Sequence, residues 1–247
     1  YLGKGSSYPD INSSIGILFE QAGFRGRIRE TTNGTRKLAY GIRNQFTVTL
    51  STLDAAINLK DDLLGHQKQF YTEALQMADK DPVKAYIFGN ENNKLQAQQF
   101  VKLLQQHQIE VYSNKKEITK NGKKFNPETS FVVPLKQRQY RMVKTLFDKV
   151  ATFTDSVFYD VSTWNMPYTF NVAFAEIGSL KELQFSNQPV AIQTEGKIIG
   201  GQSKIGYLFQ WNEYTTPKAL YAIQNAGLTA KVATREFSFK INSEMKD

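Results

Sequence analysis

Residues 83–112 read VKAYIFGNENNKLQAQQFVKLLQQHQIEVY, and their pattern decides the expected fold class. Val83–Phe88 is a short apolar run, too short for a helix and suited to a buried strand. Gly89-Asn90-Glu91-Asn92-Asn93 follows as a loop of turn-forming residues. Lys94–Gln106 then places Leu95, Phe100, Leu103 and Leu104 on one side, the spacing of an amphipathic helix. Ile109–Tyr112 returns to strand character. Strand, helix, strand in that order predicts an α/β fold with a mainly parallel sheet and helices on its faces.

Working outward, Phe131–Pro134 reads as a strand and Gln137–Val150 as a helix. Asn121-Gly122 sits inside a short hairpin over 117–125, because that dipeptide accepts the left-handed turn a tight hairpin needs. Further strands are expected at 157–161, 190–193, 197–199, 205–210 and 229–233. Thr216-Pro217 starts a last helix that Gly227 stops. Toward the N-terminus, Ile42 to Met77 is helical in period, with a break placed at Gly65. Residues 23–41 read as an irregular loop or a small hairpin around Asn33-Gly34. Ile15–Phe19 reads as a buried strand that ends in the carboxylate of Glu20.

Composition removes several functions. The 247 residues carry a net charge of +8, 40% apolar residues and no cysteine. A disulfide framework, a thiolate metal site and a cysteine nucleophile are excluded. Only His66 and His107 are present, so chemistry that needs several imidazoles has no basis here. No apolar run approaches the ~20 residues of a membrane-spanning helix. Basic residues gather at Arg25, Arg27, Arg29, Arg36, Lys37 and Arg43, and again at Lys115, Lys116, Lys120, Lys123 and Lys124. Without a recognised nucleic-acid motif beside them they read as solvated loop surfaces, and no nucleic-acid partner is expected.

Residues 1–23, YLGKGSSYPDINSSIGILFEQAG, resemble the closing part of a zinc carboxypeptidase of the carboxypeptidase A type. In that family a substrate-binding tyrosine in a loop precedes a Gly-Ser-rich stretch and a strand that ends in the catalytic glutamate. The resemblance assigns substrate binding to Tyr1 and general acid–base catalysis to Glu20, and makes LAYGIRNQFTVTLSTLDAAINL the family's last helix. It implies zinc held by His-x-x-Glu and a later histidine, all upstream of the glutamate and so outside this chain. It also implies a peptide substrate and a periplasmic or extracellular location. His107-Gln108-Ile109-Glu110 matches His-x-x-Glu, but it follows Glu20 and no third histidine comes after it, so it is not read as the metal site. The carboxylate has a clear task in such chemistry. It takes a proton from the attacking water and gives it to the leaving amine, and a rigid apolar strand would desolvate it and raise its pKa.

The stretches PLKQRQYRMVKTLFDK and DSVFYDVSTWNMPYTF are similar to the class I glutamine amidotransferase-like domain that follows the peptidase part in large exported bacterial carboxypeptidase-like proteins. The resemblance implies a flavodoxin-like accessory domain and not a working amidotransferase, since the cysteine is missing and no histidine follows Ser162 to serve as base. The expected organisation is a carboxypeptidase-like segment over 1–62, a helical linker over 63–81 and an amidotransferase-like domain over 82–247. The competing expectation is a non-catalytic interaction module of a carboxypeptidase-like protein that has lost its activity.

Overall fold

A computed structural model describes residues 5–21, 23–149, 165–192, 196, 198–241 and 244–246. The chain divides into two compact units, Tyr1–Asp81 with Lys136–Asn165 and Pro82–Leu135 with Met166–Asp247. Both helices and strands are present, as an α/β reading requires.

The first unit opens with a one-turn helix, α1 (Tyr8–Ile11), whose Pro9 has its missing N–H in the first turn, where it costs nothing. The hairpin β1 (Ile28–Thr31) and β2 (Gly34–Lys37) follows, antiparallel, and leads directly into α2 (Leu38–Asn58). A second long helix, α3 (Lys60–Lys80), begins after Leu59. The break therefore falls at Leu59 and not at Gly65, which lies inside α3. Asp61 and Asp62 stand in the first turn of α3, where carboxylates favour the helix N-terminus. Against that, a lone interior glycine costs only about 1 kcal/mol.

Ala74 and Ala78 form the buried stripe of α3. The second helix of this region in space is α5 (Tyr140–Phe147), which buries Tyr140, Met142, Val143, Leu146 and Phe147. Polar clasps join α5 to α3 and its end. The Tyr140 hydroxyl donates to Asp81 at 2.7 Å, and Lys144 pairs with the same carboxylate at 3.1 Å. The Arg141 guanidinium lies 4.2 Å over the Phe70 ring and also pairs with Glu73. Burial pushes the Tyr140 phenol up to about 12, and the Asp81 carboxylate that accepts its proton adds to the rise.

The second unit is built on β3 (Ala85–Gly89), followed by α4 (Lys94–Gln106) and the short β4 (Tyr112–Ser113). Then come the hairpin β5 (Ile118–Lys120) and β6 (Lys123–Phe125), and β7 (Ser130–Pro134). After a one-turn helix, α6 (Met166–Thr169), β8 (Ala173–Ile177) completes the sheet. Beyond it lie α7 (Thr216–Asn225) and a terminal antiparallel pair, β9 (Phe239–Ile241) with β10 (Glu244–Lys246).

The four-stranded sheet runs β4-β7-β3-β8, and every pairing in it is antiparallel. This corrects the expected parallel arrangement. β3 and β4 each run antiparallel to β7, so they share a direction, as strand-helix-strand order demands. They are not neighbours, because the β5–β6 hairpin turns the chain back and inserts β7 between them. Asn121 and Gly122 make that turn with φ of 50° and 72°, the left-handed pair of a type I′ hairpin.

β3 is buried along its whole length. One face carries Ala85 and Ile87 into a cluster with Phe125, Val132, Ala175, Ile177 and Leu183. The other carries Phe88, whose ring meets Phe100 of α4 at 5.0 Å and Phe131 of β7 at 5.7 Å. The strands expected at 205–210 and 229–233 are irregular, and so are residues 190–192. None has a ladder partner among the described residues, and an apolar run without one is not a strand. The strand expected at 157–161 lies outside the described residues.

Candidate functional site

The site named by sequence centres on Glu20. Residues 15–21 have no regular secondary structure and belong to no sheet, and Ile15, Ile17, Leu18 and Phe19 are 45–66% exposed. The expected buried strand is therefore corrected to an open segment, because no second strand pairs with it among the described residues. Glu20 is exposed, so the desolvation expected for it is not present here. Tyr1 lies outside the described residues.

What the segment does have is a set of clasps to the first turns of α2. The Gln45 amide donates to the Phe19 carbonyl at 3.1 Å. On the other side of Glu20, the Gln21 amide donates to the Gly41 carbonyl at 2.9 Å, and Asn44 donates to Gln21 Oε1 at 2.9 Å. Gly41 is buried, and a Cβ there would run into the Phe24 ring. The segment before Glu20 is fixed as well: Asp10 accepts from the Gly16 N–H at 2.8 Å, and the Tyr71 hydroxyl donates to the Asn12 carbonyl at 3.2 Å. The Phe19 carbonyl before the carboxylate and the Gln21 side chain after it are thus tied to α2, while Glu20 itself is exposed.

Sequence reasoning named Glu20 and missed Gln21, Asn44 and Gln45. A partial signal was available. Gly41, Asn44 and Gln45 recur at i, i+3 and i+4, which places a small residue and two amides on one helix face.

The histidines do not assemble a metal centre. His66 lies on α3 with its ring 6.1 Å from Phe70, and His107 ends α4 in the other unit. Glu110 accepts the Tyr112 hydroxyl at 2.7 Å. Burial, reinforced by that carboxylate, pushes the Tyr112 phenol up to about 12. Among the described residues no group of three or more His, Asp or Glu is placed to hold a metal ion.

The two basic clusters differ. In the second, Lys120 pairs with Glu182 at 2.7 Å, Lys124 pairs with Glu117 at 3.0 Å, and Lys123 lies 5.6 Å over the Phe174 ring. In the first, Arg29 stands directly opposite Arg36 in the β1–β2 ladder. No described helix is long and apolar enough to cross a membrane. In comparisons with known proteins, no family model, no curated protein and no solved structure matches the chain.

Proposed function

We propose that this chain carries the acid–base carboxylate of a zinc-dependent metallocarboxypeptidase that removes C-terminal residues from peptides in the periplasm or outside the cell. On the resemblance, the zinc is held by His-x-x-Glu and a later histidine upstream of Glu20, outside this chain. Glu20 takes a proton from the attacking water and returns it to the leaving amine nitrogen, and Tyr1 contacts the peptide. The observation that carries this reading is the clasp of Gln45, Gln21 and Asn44 around Glu20. It ties down the residues on either side of one carboxylate, the Phe19 carbonyl and the Gln21 side chain, and leaves that carboxylate exposed, which suits a group that must move a proton at a set place. On the same reading residues 82–247 form a non-catalytic accessory domain of amidotransferase-like descent. With no cysteine in the chain it releases no ammonia from glutamine.

The test is a kinetic comparison of wild type, Glu20→Gln and Tyr1→Phe in the protein that includes the metal ligands, with zinc quantified in each. Glu20→Gln should lose about 10²–10⁴ in rate, roughly 3–5 kcal/mol of transition-state stabilisation, and keep its zinc. Tyr1→Phe should lose less. Near-normal turnover of Glu20→Gln with full zinc overturns the assignment, and joint loss of turnover and zinc makes Glu20 a ligand or a support. The chain alone should bind no zinc tightly, which elemental analysis of the purified protein checks.

A second reading, a non-catalytic interaction module, is favoured by the apolar stripe of α2: Ile42, Phe46, Leu50, Leu53 and Ile57 all lie open. Absence of His-x-x-Glu and a later histidine from the sequence before Tyr1 decides for it.

A further inference from the structure

Residues 25–43 contain six cations, Arg25, Arg27, Arg29, Arg36, Lys37 and Arg43, and one acid, Glu30. Glu30 is already engaged, since the Thr35 hydroxyl lies 2.7 and 2.9 Å from its two oxygens. Among the described residues none of the six cations has an ion-pair partner. All but the half-buried Arg36 are exposed. The lysines of the second cluster, by contrast, are partly neutralised by Glu117 and Glu182.

The geometry of the hairpin sharpens this excess. Arg29 and Arg36 are cross-strand partners, so both side chains leave the same face of the ribbon. Like charges directly opposite each other weaken a ladder, and a two-stranded hairpin is marginal to begin with. An anion between the two guanidinium groups would relieve both faults, and the planar fork of arginine fits a carboxylate in bidentate fashion. The sheet has two strands only, so β1 has an open edge of main-chain donors and acceptors. β2 runs directly into α2, whereas β1 is exposed at Ile28, Arg29 and Glu30.

Three observations favour a polypeptide over a nucleic acid. The strand edge offers main-chain pairing that a polypeptide can complete. Ile28, 59% exposed, and Leu38 stand among the cations and suit apolar side chains between acidic ones. Phe24 is seated on Gly41 and the Arg43 guanidinium lies 5.8 Å over the Tyr40 ring, so bases would find one partly covered ring here and not a row of stacking platforms.

We propose that the β1–β2 hairpin docks an extended acidic polypeptide segment, which pairs along the open edge of β1 and sets alternate carboxylates against Arg29 and Arg36. This does not depend on Glu20 carrying a proton.

The experiment titrates the full chain into a fluorescein-labelled peptide of about eight residues, alternating Glu and Val, and follows anisotropy. Saturable binding that weakens as salt rises is expected. R29E/R36E, with its fold checked by circular dichroism, should bind about tenfold or more weakly, and should instead take up an alternating Lys and Val peptide. If the double variant unfolds, R29Q and R36Q singly should each weaken binding in the same direction. A peptide with proline at alternate valines should bind several-fold more weakly, since proline cannot complete the ladder. No saturable binding, binding indifferent to these arginine changes, or equal binding of the proline peptide overturns the proposal. So does tighter binding of oligothymidylate or of anionic phosphatidylserine vesicles than of the acidic peptide.

Discussion

Ile15–Phe19 and Ala85–Gly89 are both short, mainly apolar runs, and they meet opposite fates. The second is β3, buried at every position between β7 and β8. The first lies open to solvent, tied down through its backbone and through Gln21. An apolar run states a demand for burial. Whether the demand is met depends on partners elsewhere in the chain. β3 has two strands in register and α4 across one face. Among the described residues Ile15–Phe19 has no strand partner, and its Gly16 N–H and Phe19 carbonyl are tied to Asp10 and Gln45.

The largest effect that tests this contrast is a truncation in β3. Phe88→Ala removes a ring that contacts Phe100 and Phe131. It should cost about 3–5 kcal/mol, read as a lower midpoint in urea followed by the near-ultraviolet signal. Leu18→Ala in the open run should move that midpoint hardly at all. Similar losses from both would mean that Ile15–Phe19 is covered in solution.

Next is the buried carboxylate of the first unit. The Asp81 side chain is 7% exposed and serves both the Tyr140 hydroxyl and Lys144. Asp81→Ala strips both, and should cost about 1–3 kcal/mol. The Tyr140 phenol also gives a pH signature. Its pKa rises from 10.0 to about 12 on folding, so the folded state favours the protonated phenol. The stability it contributes is complete below pH 10 and is lost as pH rises through 12. Tyr140→Phe should flatten the decline across that window in urea titrations run at stepped pH. An unchanged decline would show that other groups cause it.

How far the sequence reveals this contrast depends on how local each feature is. The Asn121-Gly122 hairpin and the start and stop of α7 at Pro217 and Gly227 are visible in the sequence because a turn or a cap needs only neighbours. β3 and β7 are visible as runs. Their antiparallel pairing is not, since the insertion of β7 depends on a chain reversal between them. β8 escapes detection because Ala173–Ile177 mixes small residues with the exposed Glu176. The open runs near 205–210 and 229–233 look like strands by composition and lack partners in fact. At the candidate site Glu20 is visible through a motif. Its clasps join residues 20 to 26 positions apart, and no local pattern announces them.

A smaller effect probes the clasp. Gly41→Ala improves helix propensity in α2 by about 1 kcal/mol. It also drives a methyl group into the Phe24 ring, and overpacking of that kind costs about 1–3 kcal/mol. The two terms act in different places. Helicity by circular dichroism should hold or rise slightly, while exchange speeds up at the side-chain amides of Gln21 and Gln45, which donate to Gly41 and Phe19. If exchange there is unaltered, Phe24 and Gly41 do not fix the Glu20 segment.

The smallest expected effect lies on α2, where Leu53 is 59% and Ile57 74% exposed. Leu53→Gln and Ile57→Gln replace open apolar groups by a residue of comparable or better helix propensity. Each should shift stability by no more than about 0.5 kcal/mol, because almost no buried area is lost. The burial demand written into Ile42, Phe46, Leu50, Leu53 and Ile57 then persists as a surface property, and the two variants should be more soluble than wild type. Urea midpoints at two protein concentrations separate the possibilities. If the stripe is open, midpoints are the same at both concentrations for wild type and variants. If a second copy covers it, the wild-type midpoint rises with concentration and the glutamine variants abolish that rise. A loss above about 2 kcal/mol that ignores concentration would place the stripe inside the chain's own core.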